Sequence, residues 1–172
     1  MHRTAPHSTT TLQDVTFRRK VLPSDAATVR AIVKATGFFT TEEADVAEEL
    51  VTEHLQHGAA SGYLFVFAQM ETTVTGYACY GPTPATEGTY DLYWIAVNPH
   101  CQHIGLGAAL LNEVTGDVRA AGGRLLFAET SGTPDYTPTR RFYERTGFTA
   151  EAVLKDFYRK NDDKVIFRLE VV

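Results

Sequence analysis

The sequence predicts a single α/β domain, more closely an α+β fold in which a mixed, mostly antiparallel sheet of about seven strands is flanked by about four helices. Three observations carry this. The chain has 172 residues, room for one ordinary domain. It is 44% hydrophobic and 22% charged, a balance that buries a core instead of remaining disordered. Its apolar residues recur alternately at strand and helix spacing along the whole length, without an internal repeat.

Residues 1–11 (MHRTAPHSTTT) read as a flexible polar tail with no apolar stretch of the secretory kind, which leaves 12–172 as the domain. An edge strand is expected over Val15 to Val21, with Val15 and Phe17 inward and Arg18, Arg19 and Lys20 guarding the edge. Ser24 is placed to cap a helix through Ala35, closed by Gly37. Thr40 and Glu43 form a capping box for a second helix, whose apolar face runs Ala44, Ala47, Val51, Leu55 to a stop at Gly58. Tyr63 to Gln69 and Val74 to Tyr80 read as a hairpin around the turn at Glu71 to Thr73. After the loop GPTPATEG, Thr89 to Val97 (TYDLYWIAV) has the near-continuous apolar character of a buried strand that Pro99 must end. A helix over Gly105 to Ala121 presents Leu106, Ala109, Leu110, Val114, Val118 and Ala121, and a buried strand follows at Leu125 to Thr130. Thr137 as N-cap, Pro138 at the first helical position and Gly147 as terminator punctuate the last helix. Strands near Ala150 to Tyr158 and Lys164 to Val171, joined by a turn at Lys160 to Asp163, complete the order β-α-α-β-β-β-α-β-α-β-β.

The formal net charge is −5, from 16 bases and 21 acids, which argues against a nucleic-acid or membrane-surface partner. The charge is unevenly distributed: residues 1–34 carry six bases and two acids, 35–118 eleven acids and no Lys or Arg, and 119–172 ten bases and eight acids. Two cysteines, Cys79 and Cys101, are too few for a disulfide framework and point to a reducing, cytoplasmic setting. His54 with His57, and His100-Cys101-x-His103, imitate fragments of a metal site, but no second half completes either, so no metal is expected.

The chemistry is concentrated in YDLYWIAVNPHCQHIGLGAALLNEV, a strand, a short loop and a helix start. A helix N-terminus exposes unpaired N–H groups and a partial positive charge, so a glycine-thinned loop there admits a phosphate or pyrophosphate. With no Lys or Arg nearby, the anion would rest on amides, Gln102 and His103. A dinucleotide fingerprint fits poorly, since Gly105 falls eight residues after Val97, and a Walker loop lacks its lysine. Taken alone, Gly105 and Gly107 are better read as a simple strand-to-helix turn.

The rest of the chain decides between these readings. Gln102-His103-Ile104-Gly105-Leu106-Gly107-Ala108 resembles the Q/R-x-x-G-x-G/A signature of the GNAT superfamily of acetyl-CoA-dependent N-acetyltransferases, and Phe142-Tyr143 with Gly147-Phe148 resembles its downstream helix motif. The resemblance covers about residues 12–172. It implies that acetyl-CoA enters where the fourth and fifth strands splay apart, with main-chain groups of Ile95, Ala96 and Val97 on the pantetheine arm and thioester carbonyl. Amides of His103, Ile104, Gly105, Leu106, Gly107 and Ala108 would hold the pyrophosphate. Many relatives carry an Asn seven residues before the helix tyrosine; Tyr136 stands there, so that contact would pass to Thr130, Ser131 or a water.

The resemblance further implies a proton donor to the departing thiolate at Tyr143, whose bland alternative is a core aromatic with a satisfied hydroxyl. The oxyanion would be served by the backbone N–H of Val97 or of a neighbour. Two candidates stand for the base. Glu129 shares a face with Leu125 and Phe127 and would be desolvated there, and Asp91 shares a face with Tyr93, from which a water relay could start. Phe157 and Tyr158 are candidate acceptor-pocket aromatics, whereas Asp162-Asp163 reads as a plain turn. The expected activity is direct acetyl transfer to a primary amine of a small molecule or peptide by a monomer or homodimer. The rivals are a non-catalytic acyl-CoA-binding or sensory module, and a transferase acting on aminoacyl-tRNA or protein, for which Arg140, Arg141 and Arg145 would supply a basic patch. The acidic residues of the second helix, Glu42, Glu43, Asp45, Glu48, Glu49 and Glu53, would steer a cationic amine or merely form a solvated face.

Overall fold

Seven strands, β1 (Val15–Arg18), β2 (Leu64–Met70), β3 (Thr73–Pro82), β4 (Thr89–Val97), β5 (Leu125–Ser131), β6 (Thr149–Arg159) and β7 (Asp162–Glu170), build one sheet in the computed structural model, which describes residues 11–171. The sheet order is β1-β2-β3-β4-β5-β7-β6. Helices α1 (Asp25–Ala35), α2 (Thr41–His57), α3 (Leu106–Ala120) and α4 (Thr137–Arg145) complete the predicted element order. The expected tail lies almost wholly outside the described residues. Among those described, no helix is long and apolar enough to cross a membrane.

Each face of the sheet is covered by a different helix pair, as the two apolar clusters show. Val29, Ile32 and Val33 of α1 and Ala44, Ala47 and Val51 of α2 pack on Phe65, Phe67, Tyr77 and Cys79. Leu106, Leu110, Val114 and Val118 of α3 and Tyr143 of α4 pack on Val66, Ala78, Leu126 and Phe167. Alternation along β2 and β3 supplies both faces at once, which is why these central strands are apolar almost throughout.

Several expectations need correction. Ser24 caps nothing; its neighbour Asp25, buried, takes the Leu22 N–H at 2.7 Å and a two-point ion pair from Arg18. The Arg18 guanidinium in turn lies over the Phe67 ring. β1 stops at Arg18, and Leu55 and Ala121 turn outward while Leu111 is buried. The capping box at Thr40 and Glu43 forms as the spacing requires. The last helix starts at Thr137 itself, because a 3-10 turn at Pro134–Tyr136 feeds straight into it.

Only β4 and β5 run parallel, and they pair for four residues, Thr89↔Leu125 through Leu92↔Ala128. Beyond that point they separate. β4 is therefore half-buried and not the continuously buried strand its composition suggests. Another irregularity is in β6, where residues 155–158 bulge between the pairs Leu154↔Lys164 and Arg159↔Asp162. Asp163 fastens the bulge: its carboxylate accepts from Asp156 N at 2.9 Å and from Lys155 Nζ at 2.7 Å, contacts that hold its pKa below the usual carboxylate value.

Candidate active site

The divergence of β4 from β5 opens a cleft of about 760 Å³. One wall is β4 from Tyr93 to Val97, whose β5-facing edge has no strand partner there; the other is Glu129, Thr130 and Ser131. The α1–α2 connection (Thr36 to Thr40, with Glu43) closes one end, and Tyr136, Thr139, Tyr143, Tyr158, Arg159 and Asp162 complete the lining. A broken sheet leaves backbone donors and acceptors aimed at a ligand instead of at a neighbouring strand.

Tyr143 sits in α4 with its ring against Phe148 (5.2 Å), Phe167 (5.3 Å) and Phe142 (5.5 Å). Gly147, at φ 95°, turns the chain so that Phe148 N donates back to the Tyr143 carbonyl. The side chain is 5% exposed, yet it lines the cleft and its hydroxyl has no hydrogen-bond partner among the described residues. Desolvation raises its pKa well above that of an ordinary tyrosine and keeps the phenol protonated. Thr130, 6% exposed, also lines the cleft, and its buried Oγ1 has no partner among the described residues. Ser131 is already engaged, donating to Asp162 Oδ1 at 2.6 Å and sharing a 2.8 Å contact with Thr133.

At the far end of β4, Pro99–Cys101 form a 3-10 turn and the chain reaches α3 through two left-handed positions, His103 (φ 71°) and Gly105 (φ 83°). The first intrahelical bond of α3 runs from Ala109 N to Gly105 O. The amides of Leu106, Gly107 and Ala108 therefore have no intrahelical acceptor. A Cβ on Gly107 would lie 3.3 Å from the Phe142 ring, so the glycine loop and the aromatic pair of α4 are in direct packing contact. Gln102 lines the main cleft, His103 and Gly105 are exposed beside it, and Ile104 packs toward the core.

The base candidates fare differently. Glu129 lines the cleft, but its side chain is 50% exposed and Oε2 is bound by Lys164 Nζ at 2.6 Å, so the expected desolvation by Leu125 and Phe127 is absent. Lys164 itself is 13% exposed and lies over the Phe157 ring at 3.8 Å. Asp91 does not line the cleft. It lies where β4 still pairs with β5, opposite Phe127, and accepts from Thr83 Oγ1 at 2.6 Å. Tyr93 does reach the cleft, its phenol pushed up to about 12 by desolvation first and Asp91 second.

Sequence reasoning missed Asp162. It is 5% exposed, lines the cleft and binds Ser131 and Arg159, so it is no plain turn. Arg140 also departs from expectation, donating to the carbonyls of Ser131 and Thr133 at 2.8 Å each instead of joining an external patch. His54 Nδ1 bonds the Tyr63 carbonyl and His57 pairs with Glu53. Buried Cys79 has its thiol pKa raised by desolvation, the opposite of a reactive cysteine. On α2, Asp45 and Glu48 are bound by Arg30; of its acidic residues only Glu43 faces the cleft.

Comparison with known proteins bears on this architecture. No curated protein matches the chain. A GNAT-family protein from Desulfovibrio desulfuricans, known from its crystal structure, is 73% identical over 92% of this chain and 99% of its own, with a TM-score of 0.91. At fold level the chain also resembles yncA from Salmonella typhimurium, solved with acetyl-CoA (20% identity, 92% and 94% covered, TM-score 0.71). It is likewise similar to the paia N-acetyltransferase of Thermoplasma acidophilum in complex with coenzyme A (17% identity, 91% and 98% covered, TM-score 0.70). The model of the acetyltransferase (GNAT) family matches residues 29–148, which include the split strands, the glycine loop and Tyr143, and the chain belongs to that family.

Proposed function

We propose that the protein transfers an acetyl group from acetyl-CoA to a primary amine by direct attack, without a covalent enzyme intermediate. The observation that carries this reading is the unpartnered, protonated hydroxyl of Tyr143 on the wall where β4 leaves β5. Acetyl-CoA supplies a thioester-activated acyl group. The residues present fit such a co-substrate: the Thr130 hydroxyl awaits a partner, and the α3 amides offer an anion cradle in a stretch, 35–118, that contains no Lys or Arg. The complexes of yncA with acetyl-CoA and of the paia enzyme with coenzyme A support the same choice at fold level.

In this reading the free edge of β4 from Ile95 to Val97 aligns the pantetheine arm, Thr130 takes the contact that Tyr136 cannot make, and residues 102–108 hold the pyrophosphate. The Val97 N–H faces the negative charge that develops on the carbonyl oxygen. Glu129 accepts the proton of the incoming ammonium, being the candidate base that reaches the cleft. As nitrogen bonds to the carbonyl carbon and the C–S bond breaks, Tyr143 gives its proton to sulfur and its phenolate recovers one from the acylated nitrogen, leaving a neutral amide. Thiol release from acetyl-CoA across a library of primary amines tests the proposal; acetyl-CoA binding with hydrolysis alone would make the protein an acyl-CoA-binding module.

A further inference from the structure

Two aromatic side chains of β6 stand about half exposed, and they are placed differently. Tyr158 lines the cleft, whereas Phe157 does not. Both belong to the bulge that leaves the β6–β7 ladder at 155–158. That bulge is held in several places: Asp156 and Asn161 take left-handed backbone (φ 51° and 65°), and Asn161 N donates to Asp156 Oδ1 at 2.6 Å. From β7, Asp163 clamps Asp156 N and Lys155 Nζ. The two rings meet edge to face at 5.2 Å, and the ammonium of Lys164, the residue after the clamp, enters that corner. Its Nζ lies 3.8 Å from the centre of the Phe157 ring and 5.7 Å from that of Tyr158, and it reaches Glu129 Oε2 at 2.6 Å. Glu129 pairs with Ile166, so Lys164 is its diagonal neighbour across β5 and β7, within the span of two long side chains.

An ion pair between two solvated side chains contributes little, because both must be held still for it to form. Here one partner is already held: Lys164 is 13% exposed and its charge rests against aromatic faces. Glu129, on the cleft wall, has no other side-chain partner among the described residues. We propose that Lys164 is a positioning residue: caged by Phe157 and Tyr158, it holds Oε2 of Glu129 so that Oε1 is presented to the incoming amine, and the β6 bulge carries the cage. The inference rests on the acetyl-transfer reading above, in which Glu129 takes the proton of the amine. A reacting group displaced by about 1 Å can lose up to about 10² in rate, so the orientation of an otherwise mobile glutamate bears directly on turnover.

The test combines kinetics with side-chain dynamics. Lys164→Met removes the charge but keeps a chain of similar length that packs on aromatic rings. With acetyl-CoA and butylamine, it should lower kcat about tenfold or more and leave the butylamine KM within about twofold. In a Glu129→Gln background the same change should cost less than about twofold, because Lys164 then has no base to orient. Deuterium relaxation of the Glu129 Cγ methylene should give a lower order parameter in Lys164→Met than in the parent. Phe157→Leu, at a half-exposed position outside the cleft, leaves the ion pair in place and should move kcat and the order parameter in the same direction. An order parameter unchanged in both variants, or an equal loss of kcat with and without Glu129, overturns the positioning role while acetyl transfer stands. Parental turnover in Glu129→Gln overturns the base and its positioning together, and again leaves acetyl transfer standing. If butylamine is not turned over, the order parameter alone upholds or overturns the positioning, and the absence of thiol release across the whole amine library overturns the transferase reading separately.

Discussion

Removing the Tyr143 hydroxyl separates chemistry from packing. In Tyr143→Phe the ring keeps its contacts with Phe142, Phe148 and Phe167, and no hydrogen bond is lost because the hydroxyl makes none among the described residues. Folding stability should therefore move by less than about 1 kcal/mol. Loss of a positioned proton donor lowers kcat by about 10²–10⁴, which is about 2.7–5.4 kcal/mol of barrier at about 1.36 per decade. Tyr143→Ala instead empties the site and should cost about 3–5 kcal/mol of stability. The assay pairs thiol release at saturating acetyl-CoA and acceptor with urea unfolding and calorimetric CoA binding. The expected Phe variant has an unchanged urea midpoint, unchanged CoA affinity and kcat reduced by two decades or more. A kcat within about threefold of the parent would refute the proton-donor assignment, since a general acid contributes far more than that.

Gly105→Ala places a Cβ at φ 83° with nothing within 4 Å, so its penalty is backbone strain alone, about 1–2 kcal/mol; scanning calorimetry should show a drop of about 2–8 °C, accompanied by weaker CoA binding. Asp25→Ala strands the Arg18 guanidinium and the Leu22 N–H and should cost about 3–5 kcal/mol in urea unfolding; a loss below about 1 kcal/mol would mean that the pair is solvated like a surface bridge. Desolvation raises the phenol pKa values of Tyr77, Tyr80 and Tyr143 in the folded chain. The unfolded chain then releases its phenolic protons first, so stability is complete below the unfolded value of about 10 and falls as pH rises through it. Urea midpoints that stay constant from pH 9 to 11 would contradict that sign.

Local signals were read well wherever the chain answers to its neighbours in sequence. The Thr40–Glu43 box forms because both partners lie within one turn, and β4 has the expected bounds because Pro99 can only end it. Ser24 failed as a cap because a carboxylate one residue on captured the donor before it, a competition that spacing cannot rank. Thr137 was off by one because Pro134–Tyr136 had already begun to coil. At the site, the glycine loop and Tyr143 were legible through their motifs. Asp91 and Glu129 were read correctly as to face but not as to surroundings. Strand periodicity reports which side a residue faces, not whether the sheet has yet split at that level or which lysine arrives from β7. Asp162 was invisible for the same reason: its partner Ser131 is remote in sequence.

The four-residue junction between β4 and β5 divides the sheet into two plates, β1-β2-β3-β4 and β5-β7-β6, held together at one end like a hinged cover. Whatever lies between the plates supplies the cross-links that the missing ladder would have made, so occupancy of the cleft and resistance to unfolding are one linked equilibrium. A ligand at about a hundred times its Kd adds about 2.7 kcal/mol of stability by mass action alone. The β4 amides between Tyr93 and Val97 that face away from β3 thereby become a gauge of that occupancy, exchanging hydrogen quickly in the empty chain and slowly in the filled one.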